Sequence, residues 1–309
     1  MSTVFPVARQ VAVEGVRFSL HRLDPSRRRR TTPVLLLHGV PQTALVWRQI
    51  AGELGTDRTV LAPDLKGLGA SESTGRYDIA TLVHELAALV LHEVEGPVDV
   101  VGHDWGGSLA LALSAARPEL VRRLVVVSAP YRHIDLLHAF HIPLFSLPLL
   151  PELTFRLGRE RLVRSMIRYC WKSPTALDPQ IMAAYAAAYA DPGRVRAMLA
   201  YYRATTRPRL ASLAVGAMVP SRRRRLPPSR VNAERRLVVW GAADPVLPLA
   251  VGEAVVRDLG PGTVFVTVPG VGHFPVEEAP ETVLATIADF LRQPSSAENG
   301  RRASSDSAP

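Results

Sequence analysis

The chain has 309 residues, 47% of them hydrophobic, which suits one large domain with an insertion or two smaller domains. The net charge of +9 is concentrated in Arg27–Arg30, Arg222–Arg225 and Arg301–Arg302, runs in Pro/Ser-rich connections without interleaved aromatics, so they read as solvated loops and nucleic acid is not an expected partner. Cys170 is the sole cysteine, which excludes an intramolecular disulfide and a paired-cysteine metal site.

In chain order, Gln10–Val13 and Val16–His21 read as a hairpin around Glu14-Gly15, and Val34–Leu37 reads as a buried strand. Ala44–Leu54 is a predicted helix, Thr59–Ala62 a strand and Ile79–Glu93 a long amphipathic helix. Val98–Val101 and Leu124–Ser128 are strands on either side of a helix over Trp105–Ala116. Leu237–Trp240 and Val264–Val268 continue the strands, with helices near Val246–Leu259 and Glu281–Leu291. Alternating strands and helices imply an α/β domain with a mostly parallel sheet covered on both faces.

The alternation stops between Tyr131 and about Arg230, where helical runs such as Pro179–Ala190 and Arg194–Thr205 replace strands. Residues 1–130 and 231–293 are therefore assigned to the core, 131–230 to an inserted helical cap, and 294–309 to a disordered Ser/Ala/Arg-rich tail. The most apolar stretch, Ile134–Leu157, is interrupted by His138, His141, Pro143, Pro148, Pro151 and Glu152, so no ordinary membrane span is expected. The N-terminus lacks a continuous apolar run of the signal-peptide kind, and a soluble cytoplasmic protein is the expectation.

The most informative segment is Gly102-His103-Asp104-Trp105-Gly106-Gly107, placed between a predicted strand and a predicted helix. A Gly-x-nucleophile-x-Gly sequence there describes a strained turn that presents a reactive side chain. The reactive position holds Asp104 rather than serine. Serine attacking a saturated carbon would leave an ether, whereas a carboxylate leaves an ester that activated water can hydrolyse. The residue type thus points to opening of an epoxide or displacement of a halide.

Asp244, after Leu237–Trp240, and His273, after Val264–Val268, follow in the order nucleophile, acid, histidine. Loops at the carboxyl ends of parallel strands converge on a crevice, which would bring the three together. As alternatives, Asp244 could be a helix N-cap and His273 an ordinary loop histidine. The N–H groups of Val40, in His38-Gly39-Val40-Pro41, and of Trp105 are candidates for an oxyanion hole. His38 and His103 are expected to orient backbone, Asp64 to tie down a turn, and Trp47 to lie in the core.

These motifs together resemble the epoxide hydrolase and haloalkane dehalogenase branch of the α/β-hydrolase superfamily. They are His-Gly-Val-Pro-Gln-Thr with Trp47-Arg48, then Asp64, Gly67, Gly69 and Ser71, then Gly-His-Asp-Trp-Gly-Gly, Trp-Gly with Asp244, and Gly-His-Phe, spanning residue 34 to about 290. The resemblance implies an eight-stranded sheet with an inserted lid and a reaction without cofactor or metal. Asp104 would be alkylated, and His273, oriented by Asp244, would activate the water that hydrolyses the ester. Two lid tyrosines commonly bind the oxirane oxygen in such enzymes. Tyr202, in Tyr201-Tyr202-Arg203, matches one, whereas Phe140 followed by His141 stands at the other, leaving His141, Tyr169 or Tyr185 as substitutes. A dehalogenase would instead hold halide with Trp105 and a second donor, for which Trp171 is the candidate. A ligand-binding member of the fold without turnover is a third reading. Phe140, His141, Trp171 and Tyr185 are taken as candidate substrate contacts. The expected partner is a hydrophobic small molecule, a natural-product epoxide among the possibilities, with the oligomeric state open and a homodimer included.

Overall fold

The computed structural model describes residues 5–25, 31–218, 231 and 233–293, with backbone alone over 207–218. The three arginine runs, the end of the inserted stretch and the 294–309 tail lie outside the described residues. Strands β1 (Arg9–Val13), β2 (Val16–Leu23), β3 (Val34–Leu37), β4 (Val60–Pro63), β5 (Val98–His103), β6 (Val121–Val127), β7 (Arg235–Gly241) and β8 (Thr263–Val268) form one sheet in the order β1-β2-β4-β3-β5-β6-β7-β8. The pairs β1–β2 and β2–β4 are antiparallel, and every other neighbour is parallel. The hairpin closes through Glu14 and Gly15, both at positive φ (48° and 74°), the twist that a two-residue connection requires.

Every residue of β3, β4 and β5 is buried, which a parallel strand achieves only with helices on both faces. The covering helices are α1 (Arg48–Leu54), α2 (Ile79–Glu93), α3 (Trp105–Ala116), α8 (Leu249–Leu259), α9 (Pro275–Glu278) and α10 (Pro280–Arg292). Helix α2 packs on α3, and α1 on α10. Leu35, Leu36 and Leu37 are wholly buried, each contributing about 1.5–3 kcal/mol. Among the described residues, no helix is long and apolar enough to cross a membrane.

Between β6 and β7 the chain forms α4 (His141–Ser146), α5 (Leu150–Cys170), α6 (Pro179–Ala188) and α7 (Pro192–Met218). Among the boundaries that differ from the sequence expectation, two helix starts have a clear local reason. The segment expected as one helix over 44–54 opens with a tight 3-10 turn, Ala44–Trp47, because Asp64 accepts from the Ala44 N–H and Thr43 caps Leu45. The helix expected near Val246 begins at Leu249, because Asp244 captures the Val246 and Leu247 N–H groups and Pro248 follows.

Strands β4 and β5 lie on opposite sides of β3, so the chain reverses its direction of travel across the sheet there. The loops leaving β3 and β5 consequently diverge and leave a crevice at their carboxyl ends. Asp104 stands on the rim of that crevice.

Candidate active site

Asp104 is the single residue between β5 and α3, held at φ 50° and ψ −119°, a sparsely populated conformation for a side chain with a Cβ. The turn is possible because its flanks are bare. A Cβ on Gly106 would stand 2.1 Å from the Leu37 carbonyl oxygen, and one on Gly102 would stand 2.3 Å from that of Gly106. The resulting elbow lifts the Asp104 carboxylate clear of the sheet. One of its oxygens accepts from the Val40 N–H at 2.9 Å. As the first residue of α3, Trp105 has an N–H with no carbonyl to reach within its helix.

His273 sits on the loop after β8 with Nε2 3.5 Å from Asp104 Oδ2. On the other edge of the ring, Nδ1–H donates to Asp244 Oδ2 at 2.7 Å. Asp244 serves both purposes raised by the sequence: Oδ1 caps the turn at Val246 and Leu247, each at 2.9 Å, while Oδ2 holds the imidazole. Burial opposes charge on His273, yet the flanking Asp244 and Asp104 carboxylates hold its pKa well above the ordinary histidine value. Burial likewise pushes the Asp104 carboxyl up, but the bond and charge of His273 outweigh it and leave its pKa lowered.

Neighbouring buried polar groups brace the backbone around these three side chains. His38 donates from Nδ1 to the Gly39 carbonyl and accepts from the Leu65 N–H, each through one ring nitrogen. His103 bonds the His273 carbonyl at 2.8 Å, and burial lowers its pKa to about 4, so it is neutral. Asp64 receives the N–H groups of Ala44 and Ala70, and Trp47 is fully buried.

Above the elbow lies a cavity of about 550 Å³ whose lining includes Asp104, Trp105, His273, His141 and Tyr202. This volume falls in the range of about 300–1,000 Å³ common for sites that hold a small organic molecule. The Tyr202 ring stands edge-on to Trp105 (centroids 5.2 Å) and to His141 (5.8 Å). Burial, then the Asp104 charge, raises the Tyr202 pKa well above that of an ordinary phenol, so it stays protonated. Burial lowers the His141 pKa to about 4, so its ring is neutral and carries one N–H.

The other expected substrate contacts are not made in this cavity. Tyr185 is wholly buried and does not line it, with its hydroxyl donating to Glu277 Oε1 at 2.5 Å. The Trp171 indole N–H is spent on the Ser173 and Thr175 carbonyls, at 3.1 and 2.7 Å, and the ring lines a separate cavity with Ile167 and Met182. Phe140 is 52% exposed on the outside of the inserted helices. Which way α5 and α6 roll decides these placements, and spacing alone does not carry that information.

Two acidic residues absent from the sequence reading organise the histidine loop. Glu278 accepts from the N–H groups of Gly272 and Phe274, on either side of His273, and from those of Lys172 and Ser173 just past α5. Glu277 takes a two-pronged ion pair from Arg48 together with the Tyr185 hydroxyl. Their only sequence signal is a Glu-Glu pair following Gly-His-Phe-Pro-Val. Among the described residues, no cluster of His, Cys, Asp and Glu is placed to hold a metal ion.

The alpha/beta hydrolase family matches residues 34–286. The chain is 27% identical over 273 residues to AB hydrolase superfamily protein YfhM of Bacillus subtilis, covering 84% of this chain and 90% of that protein. It is 26% identical over 273 residues to epoxide hydrolase 3 of Mus musculus, covering 84% of this chain and 70% of the relative. Among solved structures it is similar to epoxide hydrolase CorEH without ligand, with a TM-score of 0.76 and 25% identity over 92% of this chain and 97% of that one. Sheet order, elbow and family match agree, and the chain belongs to the alpha/beta hydrolase family.

Proposed function

We propose that the protein hydrolyses a hydrophobic epoxide to a vicinal diol through an ester on Asp104, with the helices between β6 and β7 serving as a lid. One observation carries this reading: a carboxylate on the elbow shares its cavity with an imidazole and with two neutral side chains that bear hydrogens, Tyr202 and His141. Asp104 attacks a ring carbon, the carbon–oxygen bond of the ring breaks, and the freed oxygen takes the Tyr202 proton while the His141 N–H bonds to it. A neutral histidine suits the position because it donates without adding a charge beside the nucleophile.

Ester formation then removes the negative charge beside His273. The imidazolium loses the partner that kept it protonated, gives its proton to the Tyr202 phenolate, and becomes a base. Water loses a proton to His273 and adds to the ester carbonyl, whose oxyanion is held by the Val40 and Trp105 N–H groups. Collapse breaks the bond between the carbonyl carbon and the alkoxy oxygen. That oxygen takes the proton of the Asp104 carboxyl, and the diol leaves with His273 again protonated. Halide displacement is less well served, since the Trp171 N–H is engaged elsewhere and only Trp105 faces the cavity.

Single turnover in heavy-oxygen water tests the covalent route. The first diol carries no label, because its new oxygen comes from Asp104, and the label enters the enzyme. Label in that first diol would show direct attack by water and refute the proposal.

A further inference from the structure

Away from the reacting groups, the same cavity is lined by Ile79, Ala112, Ile134, Leu136 and Ile142, with one charged side chain among them, Arg132. The hydroxyls of Ser108 and Thr205 in that wall already donate to backbone carbonyls. Arg132 is half-buried, and its guanidinium stands over the Tyr131 ring at 5.2 Å. Among the described residues it has no carboxylate or carbonyl partner. Two acids of the structure lie beside histidines, Asp135 beside His138 at 2.8 Å and Asp258 beside His133 at 3.7 Å. A cation that lines an apolar cavity, stacked on an aromatic face and without an acidic partner among the described residues, presents its five-donor fork to an anionic ligand.

We infer that the substrate is an epoxide carrying a carboxylate at the far end of an apolar chain, and that Arg132 binds this carboxylate. The inference rests on the proposed epoxide reaction for the identity of the reacting end, and on Arg132 for the other end. A planar guanidinium fork matches a carboxylate with two parallel bonds, which a neutral chain end cannot supply. The charge balance agrees. Asp104 and Asp244 flank a single imidazolium, leaving an excess negative charge that would repel an anionic substrate unless a cation received its tail. The remaining apolar lining suits an aliphatic chain.

Equilibrium binding of unreactive ligands, decanoate, decanol and decylamine, separates this inference from the reaction. The expected result is decanoate binding about tenfold or more tightly than decanol, a ratio falling toward one in Arg132→Gln and partly kept in Arg132→Lys. Arg132→Glu should reverse the order and favour decylamine, a gain that misfolding cannot produce. Equal binding of decanoate and decanol to the unaltered protein, or a ratio that Arg132→Gln leaves in place, overturns the inference. Parallel assays with 9,10-epoxydecanoate and 1,2-epoxydecane report the reaction. Turnover of both without acid preference refutes the carboxylate site and leaves the reaction standing. Acid-selective binding without turnover supports the carboxylate site and refutes the reaction.

Discussion

Replacing Asp104 with Asn should convert His273 from a resting acid into a free base, mimicking the ester without substrate. Asp104 Oδ2 lies 3.5 Å from His273 Nε2, and the two side chains are only 15% and 6% exposed. Two unit charges at that separation interact by about 5 kcal/mol at an effective dielectric of about 20. The asparagine keeps the shape and the acceptor facing Val40 but removes the charge. The imidazolium thus loses several kcal/mol of support, and the His273 midpoint should fall by more than about one pH unit. Asp244, 2.7 Å away on the other edge, remains and keeps the ring oriented. The assay is an NMR pH titration of the imidazole Cε1–H in the unaltered protein and in Asp104→Asn, with His273→Gln to assign the signal. A midpoint that stays fixed or rises would refute the electrostatic switch between the two half-reactions.

Asp244→Asn presents an amide N–H where His273 needs an acceptor, turns the ring to the wrong tautomer, and should slow ester hydrolysis about 10³–10⁴-fold. Intact mass after mixing with an epoxide should then show the alkylated enzyme accumulating. Tyr202→Phe and His141→Phe should each lower kcat/KM for epoxides about 10²-fold by removing a hydrogen that meets the opening oxygen, read from initial rates. Gly106→Ala drives a methyl into the Leu37 carbonyl and should cost at least about 3 kcal/mol of stability in a urea titration. His141 is neutral in the folded protein with a pKa lowered to about 4, whereas the unfolded chain takes up its proton near 6.5. The unfolded state therefore binds more protons between these values, and stability falls as pH drops from about 6.5 toward 4, by at most about 3 kcal/mol for this residue. His141→Phe should flatten that part of the curve of unfolding free energy against pH.

The elements that position the candidate site residues were legible because each of those residues follows a short, largely apolar run that reads as a strand. Val98–Val101, Leu237–Trp240 and Val264–Val268 placed Asp104, Asp244 and His273 at strand ends, and a parallel sheet leaves those ends facing one crevice. The exact start of α8 was not legible, since Asp244 captures two amides that a helix would otherwise have used. Helix orientation in the inserted segment was less legible still. Trp171 follows the end of α5 and Tyr185 lies within α6, and partners distant in sequence, such as Glu277, turn Tyr185 inward. Glu278 escaped notice for a related reason: its four amide partners lie on two segments about a hundred residues apart.

That shared carboxylate has a mechanical consequence. Glu278 pins the residues flanking His273 and the chain just past α5 to one point, and the His273 N–H is also bonded to the Cys170 carbonyl at 3.0 Å. Lifting that end of the helical segment would drag the imidazole out of line with Asp104. Under the proposed reaction, loading and product escape that leave the base undisturbed would have to spare this anchored end of the helical segment.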